Sequence, residues 1–166
     1  MTASIAAKDA IQVAPLPGLQ VHQLSIGFAD MDGFMKVAES GSDADIAAIV
    51  QTCYRAIGDA VLRNRGRIWK YLGDAVMFSC PDPVSAIKAA HEIAALRFRH
   101  RDQEVRFHVS VATGPVVQGS FGHSTFRNED IFGHTIHRAA LLGRDAKADP
   151  SHVALDEATR RAVDKN

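Results

Sequence analysis

The chain has 166 residues, of which 46% are hydrophobic, 23% charged and 7% aromatic. This length suits one domain with a single core, and this composition excludes a chain that is disordered throughout. Acidic and basic side chains balance at 19 each, which argues against binding nucleic acid or an anionic membrane through bulk charge. No apolar run approaches the roughly 20 residues of a membrane helix. Two cysteines, Cys53 and Cys80, favour reduced thiols in a cytoplasmic protein.

Residues 1–19 are predicted to form a flexible leader, because Pro15, Pro17 and Gly18 interrupt regular structure. The remaining residues, 20–166, contain no internal repeat and no low-complexity tract. They are predicted to form a single domain.

From residue 20 onward, the apolar spacing predicts strands and helices. In chain order these are a strand Val21–Ala29, a helix Phe34–Ser40, a helix over 44–64, a hairpin of Arg67–Tyr71 and Ala75–Ser79, a helix from Pro83 to about Arg99, a strand pair Val105–Thr113 and Val116–Phe121 around Gly114 and Pro115, a helix from Gly133 to about Lys147, a strand Val153–Leu155 and a helical tail. This order is typical of an α+β domain, with one mainly antiparallel sheet and helices packed on it.

Two aspartates stand where strands are predicted to end. Asp30 follows the first strand, and Asp74 lies in the hairpin turn. If these strands are neighbours, both carboxylates lie at one edge of the sheet, where they suit Mg²⁺ or Mn²⁺. The amides around Met31–Phe34 open a helix and suit phosphate oxygens, and Gly33 permits a close approach there. Taken singly, each aspartate fits a helix cap or a solvated turn residue better than a metal ligand.

Four segments resemble the class III adenylyl/guanylyl cyclase catalytic domain, and they occur in that family's order. They are FADMDGF (28–34), KYLGDAVM (70–77), VSVATGPVVQGSFG (109–122) and DIFGHTIHRAALL (130–142). The resemblance spans roughly residues 20–160. Four ordered motifs are far more specific than one short pattern.

The resemblance implies a ferredoxin-like fold and a head-to-tail dimer with active sites at the interface. Asp30 and Asp74 match the family's metal-binding aspartates, which hold two Mg²⁺ or Mn²⁺ ions per site, with help from a backbone carbonyl at Met31. Gly33 and Phe34 then belong to the segment that binds substrate phosphates.

The resemblance also implies that the substrate is ATP. Lys70 and Asp130 match the pair that selects adenine in adenylyl cyclases, whereas a guanine site commonly carries Glu and Cys. The implied reaction is attack of the ribose 3′-oxygen on the α-phosphorus, which forms cyclic AMP and releases pyrophosphate.

One helix departs from the family pattern. Where the family has an Asn that orients the ribose and an Arg that stabilises the transition state, this chain has His137 and Leu141, although Gly133 and Ala139 on either side match. Loss of one transition-state donor costs about 10²–10³ in rate, and an arginine in phosphoryl transfer is worth roughly 10³–10⁵. A drop of several orders of magnitude is expected unless other groups substitute.

His137 and Arg144 are the candidate catalytic substitutes, and Arg138 is a further candidate. Arg144 lies three residues after Leu141, near the same helical face. For Arg138 or Arg144 alone, a solvated helix charge remains the simpler interpretation. The family also carries a later strand pair with a Lys that touches the triphosphate. Here Lys165 lies in a polar tail, so either the chain is truncated or that contact is absent.

Two functions from different classes remain open. One is an adenylyl cyclase that is slow or inactive alone and works as a homodimer. The other is a degenerate cyclase-like domain that binds nucleotide or regulates through dimerisation. A heterodimer joins them, because an intact cyclase partner would supply the missing Asn and Arg.

Overall fold

The computed structural model describes residues 13–164 of the chain. Part of the predicted leader, residues 1–12, and the tail position Lys165 lie outside this range. Residues 13–19 are exposed and belong to no helix or strand. The division into a leader and one domain stays a prediction.

Within residues 13–164 the chain forms seven strands and six helices. They are β1 (Gln20–Asp32), α1 (Phe34–Ser40), α2 (Asp43–Arg63), β2 (Arg67–Leu72), β3 (Ala75–Cys80), α3 (Pro83–Ala94), β4 (Phe98–His100), β5 (Gln103–His123), β6 (Phe126–Phe132), α4 (His134–Leu141), α5 (Gly143–Ala148), β7 (Val153–Leu155) and α6 (Glu157–Val163).

The strands form one sheet with the order β2-β3-β1-β5-β4, to which β6 and β7 add by pairing with β5. Every pairing is antiparallel except that of β5 with β7. The path from β1 through α2, β2, β3 and α3 to β5 is the βαββαβ arrangement of ferredoxin-like folds. The predicted α+β fold is confirmed.

The two faces of the sheet bury different cores because side chains alternate along each strand. On one face, Ala29 of β1 packs in a cluster with Ile57 of α2 and Ile93 of α3. On the other face, Ile26 of β1 packs in a smaller cluster with Ala139 of α4. Asp30 follows Ile26 at even spacing, so the smaller core lies on the same face as the candidate metal ligand.

Two predicted helices are corrected by the structure, and one strand that was not predicted is present. The helix from Pro83 ends at Ala94 rather than near Arg99, and the following residues form β4 against β5. The helix after Gly133 is interrupted at Leu142, which separates α4 from α5. The segment that forms β6 was predicted as neither strand nor helix, and it pairs with the end of β5.

The predicted strand pair around Gly114 and Pro115 is also wrong, because both residues lie inside the single long strand β5. On its other edge, β5 pairs with β7 only up to Val111 and with β6 only from Val117. Pro115 lies in the gap between these two ladders. The N–H that proline lacks therefore costs no hydrogen bond on that edge. The 13-residue β1 pairs across the Gly-Pro step and keeps the strand continuous.

No helix among residues 13–164 is long and apolar enough to cross a membrane. Cys53 and Cys80 are both buried free thiols. Burial raises the pKa of Cys53 to about 11 and that of Cys80 to about 12, so both remain protonated and unreactive near neutral pH.

Candidate active site

The sheet brings Asp30 and Asp74 to the same edge. Asp30 pairs with Ala75 at the start of β3, directly after Asp74 in the chain. The backbone N–H of Met31 donates to the carbonyl oxygen of Asp74 at 2.8 Å. The juxtaposition predicted from the sequence is therefore present, and the metal-binding role of the two carboxylates stays a prediction.

The turn that carries Asp74 is held by a side chain that sequence reasoning missed. The Tyr54 hydroxyl on α2 donates to the Gly73 carbonyl oxygen at 2.6 Å, and its ring stacks on Tyr71 with 4.2 Å between centroids. Gly73 itself has a φ of 72°, the left-handed region that glycine adopts without strain. Tyr54 thus fixes the backbone next to Asp74. Because Tyr54 lies on α2, the sequence around Asp74 gave no indication of this contact.

Asp30 and Asp74 line a cleft of about 490 Å³ between α1 and α5. His108, Arg144 and Lys147 line the same cleft. Helix α5 lies directly against Asp30, because a Cβ added at Gly143 would be 3.6 Å from Asp30 Oδ2. The cleft therefore combines carboxylates with cationic groups of the same chain.

The Asp30 side chain is 36% exposed, and its environment opposes ionisation. Its pKa is raised, chiefly because burial removes solvent from the carboxylate, with a further contribution from nearby Asp74. His108 and Lys147 act in the opposite direction without cancelling the rise. A cation bound between the two carboxylates would relieve both the lost solvation and the mutual repulsion.

His108 is the neighbour of Asp30 that sequence reasoning missed. The two residues are direct partners in the β1–β5 ladder, with His108 Nε2 3.8 Å from Asp30 Oδ2. Burial lowers the pKa of His108 and outweighs the raising effect of Asp30 and Asp32. Only the strand register could have revealed this contact.

The donor chemistry of this edge fits a divalent cation. Carboxylates of Asp30 and Asp74 and the Met31 carbonyl are hard oxygen donors, which Mg²⁺ and Mn²⁺ prefer. Among residues 13–164, no group of three or more His, Cys, Asp or Glu side chains is arranged to hold a metal. Two carboxylates fit a metal that shares its coordination with substrate phosphates better than a fully protein-bound ion.

Gly33 has a structural task that the sequence did not reveal. Its φ is 87°, and a Cβ there would overlap the Glu104 carbonyl oxygen of β5. The close approach that Gly33 permits is therefore one between two backbone segments. It places Phe34, the first residue of α1, in the wall of the cleft.

Lys70 and Asp130 form an ion pair, with Lys70 Nζ 2.6 Å from Asp130 Oδ2. Their side chains are 32% and 15% exposed, and Asp130 Oδ1 also accepts the backbone N–H of Ile131 at 2.8 Å. The ammonium group of Lys70 lies 4.9 Å from the ring centroid of Phe132. The two residues predicted to select the purine are thus together and held in place before any ligand binds.

The outer face of α4 lacks the polar groups of the family pattern. His137 is exposed, and Leu141 is 65% exposed. Arg138 is engaged elsewhere, with its Nε 3.2 Å from Asp156 Oδ2 and its Nη2 donating to the Thr113 carbonyl oxygen at 3.1 Å. Arg138 therefore anchors α4 to the sheet and to the start of α6, whereas Arg144 lines the carboxylate cleft.

Comparisons with known proteins agree with this arrangement. A family model described as the adenylate and guanylate cyclase catalytic domain matches residues 18–166. An adenylate cyclase of Streptomyces coelicolor is 28% identical over 128 residues, covering 77% of this chain and 31% of that protein. A pH-sensitive adenylate cyclase of Mycobacterium tuberculosis is 27% identical over 151 residues, covering 90% of this chain and 34% of that protein.

An uncharacterised protein of M. tuberculosis is 27% identical over 158 residues, and the match covers 92% of this chain but only 28% of that protein. The chain thus spans about a third or less of the length of these curated relatives. Among solved structures, the adenylyl cyclase CyaB from P. aeruginosa superposes with a TM-score of 0.75 at 19% identity, covering 89% of this chain and 83% of that one. At that identity the likeness shows the fold alone.

Proposed function

The chain belongs to the class III adenylyl/guanylyl cyclase catalytic-domain family, and from this premise we propose that it converts ATP slowly to cyclic AMP and pyrophosphate. The observation that carries the proposal is the preformed Lys70–Asp130 pair beside Phe132. The juxtaposed carboxylates of Asp30 and Asp74 support it.

The purine-binding pair favours adenine over guanine. Adenine presents an acceptor at N1 next to an exocyclic amine donor, which match the Lys70 ammonium and the Asp130 carboxylate. Guanine presents an N1–H donor at the same edge, which would face the Lys70 donor. Because a site built for one hydrogen-bond pattern leaves polar groups unpaired with the other, the mismatch costs affinity for GTP.

In the proposed reaction the ribose 3′-hydroxyl gives its proton to solvent water and its oxygen forms a bond to the α-phosphorus, while the bond from that phosphorus to the bridging oxygen breaks and pyrophosphate leaves. In this proposal Lys70 and Asp130 fix the purine, and Asp30 and Asp74 face the triphosphate. Asp30 and Asp74 would hold divalent cations, which would supply activation of the 3′-oxygen and stabilisation of the charge on the phosphates. His137 offers its ring N–H to the ribose or a phosphate.

The proposed rate is low because α4 presents no cation at the position of Leu141. An apolar side chain there cannot stabilise charge that develops on the phosphate oxygens in the transition state. His137 retains one donor near the ribose, so part of the orienting effect is kept. Binding of nucleotide does not depend on a cation at the position of Leu141.

A second candidate function is a regulatory module that binds ATP without turning it over. The exposed, apolar Leu141 favours it, because this side chain cannot stabilise charge on the phosphates in the transition state. The proposed active assembly is a homodimer. A heterodimer with an intact cyclase domain would restore the missing Asn and Arg from the partner, and a homodimer would not.

The nucleotide preference tests the purine assignment. Binding of ATP and GTP in the presence of Mn²⁺ is measured for the wild-type chain and for the double variant Lys70→Glu with Asp130→Cys. We expect the ratio of ATP to GTP affinity to fall by about 10-fold or more, because both hydrogen-bond partners change. The matched control is Arg67→Glu with Glu129→Cys, which alters a neighbouring ion pair on the same two strands. An unaltered ratio in the first variant refutes the assignment.

A further inference from the structure

The cleft that Asp30 and Asp74 line, here called the carboxylate cleft, also contains two cationic side chains that form no ion pair with any of residues 13–164. Lys36 on α1 and Arg144 on α5 are exposed and line the cleft. Neither forms an ion pair within the part of the chain that the structure describes, residues 13–164. In contrast, Lys147 on the same helix as Arg144 donates to Asp32 Oδ1 at 2.8 Å.

The charged side chains of the cleft therefore form two groups, those already paired with each other and those that are not. Lys147 neutralises Asp32, and the other charged residues that line the cleft include Asp30 and Asp74 as anions and Lys36 and Arg144 as cations. Once the two carboxylates are neutralised by a divalent cation, Lys36 and Arg144 leave the cleft positive. A positive cleft favours an anionic ligand with several charges.

We infer that Arg144 and Lys36 are substrate-binding residues that hold the terminal phosphates of the polyphosphate chain, one from each wall of the cleft. This inference rests on the proposed function and names the group of the substrate that the same cleft receives. Arg144 thus binds substrate in the cleft of its own chain. It does not take over the transition-state role of the family's arginine, which Leu141 replaces.

Arg144 suits this role because its backbone is fixed while its side chain forms no ion pair with any of residues 13–164. Ala146 of α5 is buried, Gly143 lies against Asp30, and Lys147 ties the helix to the end of β1. A guanidinium group forms bidentate hydrogen bonds with phosphate oxygens, which gives direction as well as charge. The short helix α5 therefore holds the backbone of Arg144 in a fixed position beside the cleft.

Lys36 is the weaker of the two. It also lines a neighbouring cleft that contains Glu104, but the Glu104 carboxylate is bound to Arg106 at 2.7 Å. Its ammonium group thus remains available on the wall opposite Arg144. As a flexible point charge it contributes less directional binding than a guanidinium.

Inorganic tripolyphosphate with Mn²⁺ is the probe that tests the inference, because it has the phosphates of ATP and no purine. Its affinity is measured by calorimetry for the full chain, for Arg144→Ala, Arg144→Lys and Lys36→Ala, at one fixed salt concentration. The matched control is Arg55→Ala, which removes an exposed arginine of α2 outside the cleft. Circular dichroism spectra establish that each variant is folded.

We expect Arg144→Ala to weaken tripolyphosphate binding about 10-fold, Lys36→Ala to weaken it less, and Arg144→Lys to recover part of the loss. Arg55→Ala should leave the affinity unchanged. Equal affinities for wild type and Arg144→Ala overturn the inference, as does a wild-type chain that binds ATP but not tripolyphosphate. Either result leaves the proposed function standing, since that function depends on the nucleotide preference and on product formation.

Discussion

Two pairs of residues on the sheet, Asp30 with Asp74 and Lys70 with Asp130, differ from the outer face of α4 in the polar groups that they present. Asp30 and Asp74 line one cleft, and Lys70 and Asp130, which we propose to bind the purine, form an ion pair at 2.6 Å. On α4, the two positions that would serve the transition state carry an exposed imidazole and an exposed leucine. Groups expected to bind substrate are therefore present, and groups expected to act only in the transition state are replaced.

This difference separates affinity from turnover. Interactions made equally with substrate and transition state lower KM without raising kcat, whereas those made only in the transition state raise kcat. A chain with the first set and without the second should bind ATP well and convert it slowly. Changes to each region should therefore affect different kinetic constants.

Restoring the α4 face should have the largest effect. The double variant His137→Asn with Leu141→Arg places the family's two groups on a helix that Arg138 already anchors. We expect kcat to rise by about 10²-fold or more, with little change in KM, because a transition-state donor and cation are regained. Steady-state cyclic AMP formation measures both constants. No gain in kcat would mean that the defect lies outside α4.

Removing a carboxylate should abolish the metal-dependent part of binding. In Asp74→Ala, we expect ATP affinity to become independent of Mn²⁺, because one of two oxygen-donor side chains is lost. Titration of ATP with and without Mn²⁺ measures this change. Asp102→Ala, which removes an exposed aspartate far along the chain in the turn before β5, is the control. Mn²⁺-dependent binding that survives in Asp74→Ala would refute the metal assignment.

A smaller effect is expected on stability without metal. The raised pKa of Asp30 means that its carboxyl favours the folded state when protonated, near or below pH 3.8. This contribution is lost as the pH rises through the folded-state pKa. Asp30→Asn should therefore melt at a higher temperature than wild type at pH 7, and the gap should close as the pH falls towards 4. A gap that widens on acidification contradicts the assigned cause.

The smallest effect is expected at Tyr54. Tyr54→Phe removes the hydroxyl that donates to the Gly73 carbonyl oxygen. We expect the melting temperature to fall by about 2–4 °C, because one hydrogen bond is lost in a domain of this size. Because the turn carries Asp74, Mn²⁺-dependent ATP binding should weaken as well. A stability loss without any change in Mn²⁺ dependence would show that the turn keeps Asp74 in place without Tyr54.

Much of this site follows from local sequence. Asp30, Asp74, the Lys70–Asp130 pair and the replacements on α4 were all predicted, because each lies at a fixed place within one of four ordered motifs. The contacts of His108 with Asp30 and of Tyr54 with Gly73 could not be predicted, since each joins distant segments. They depend on strand register and on helix rotation, which a local pattern does not determine.

The fold shows the same limit. Gly114 and Pro115 predict a break, yet β5 continues through them because long β1 pairs across that step. Similarly, the periodic residues after Pro83 extend the predicted helix past Ala94, where pairing with β5 instead forms β4. In both places, tertiary pairing overrides local propensity.

The most direct test is cyclic AMP formation from ATP by the purified chain with excess Mn²⁺, measured beside an Asp30→Ala variant. A slow rate that disappears in Asp30→Ala is the result predicted for a cyclase that binds its substrate and lacks part of its transition-state machinery. No product above the Asp30→Ala level would contradict the proposed turnover and favour a module that only binds nucleotide.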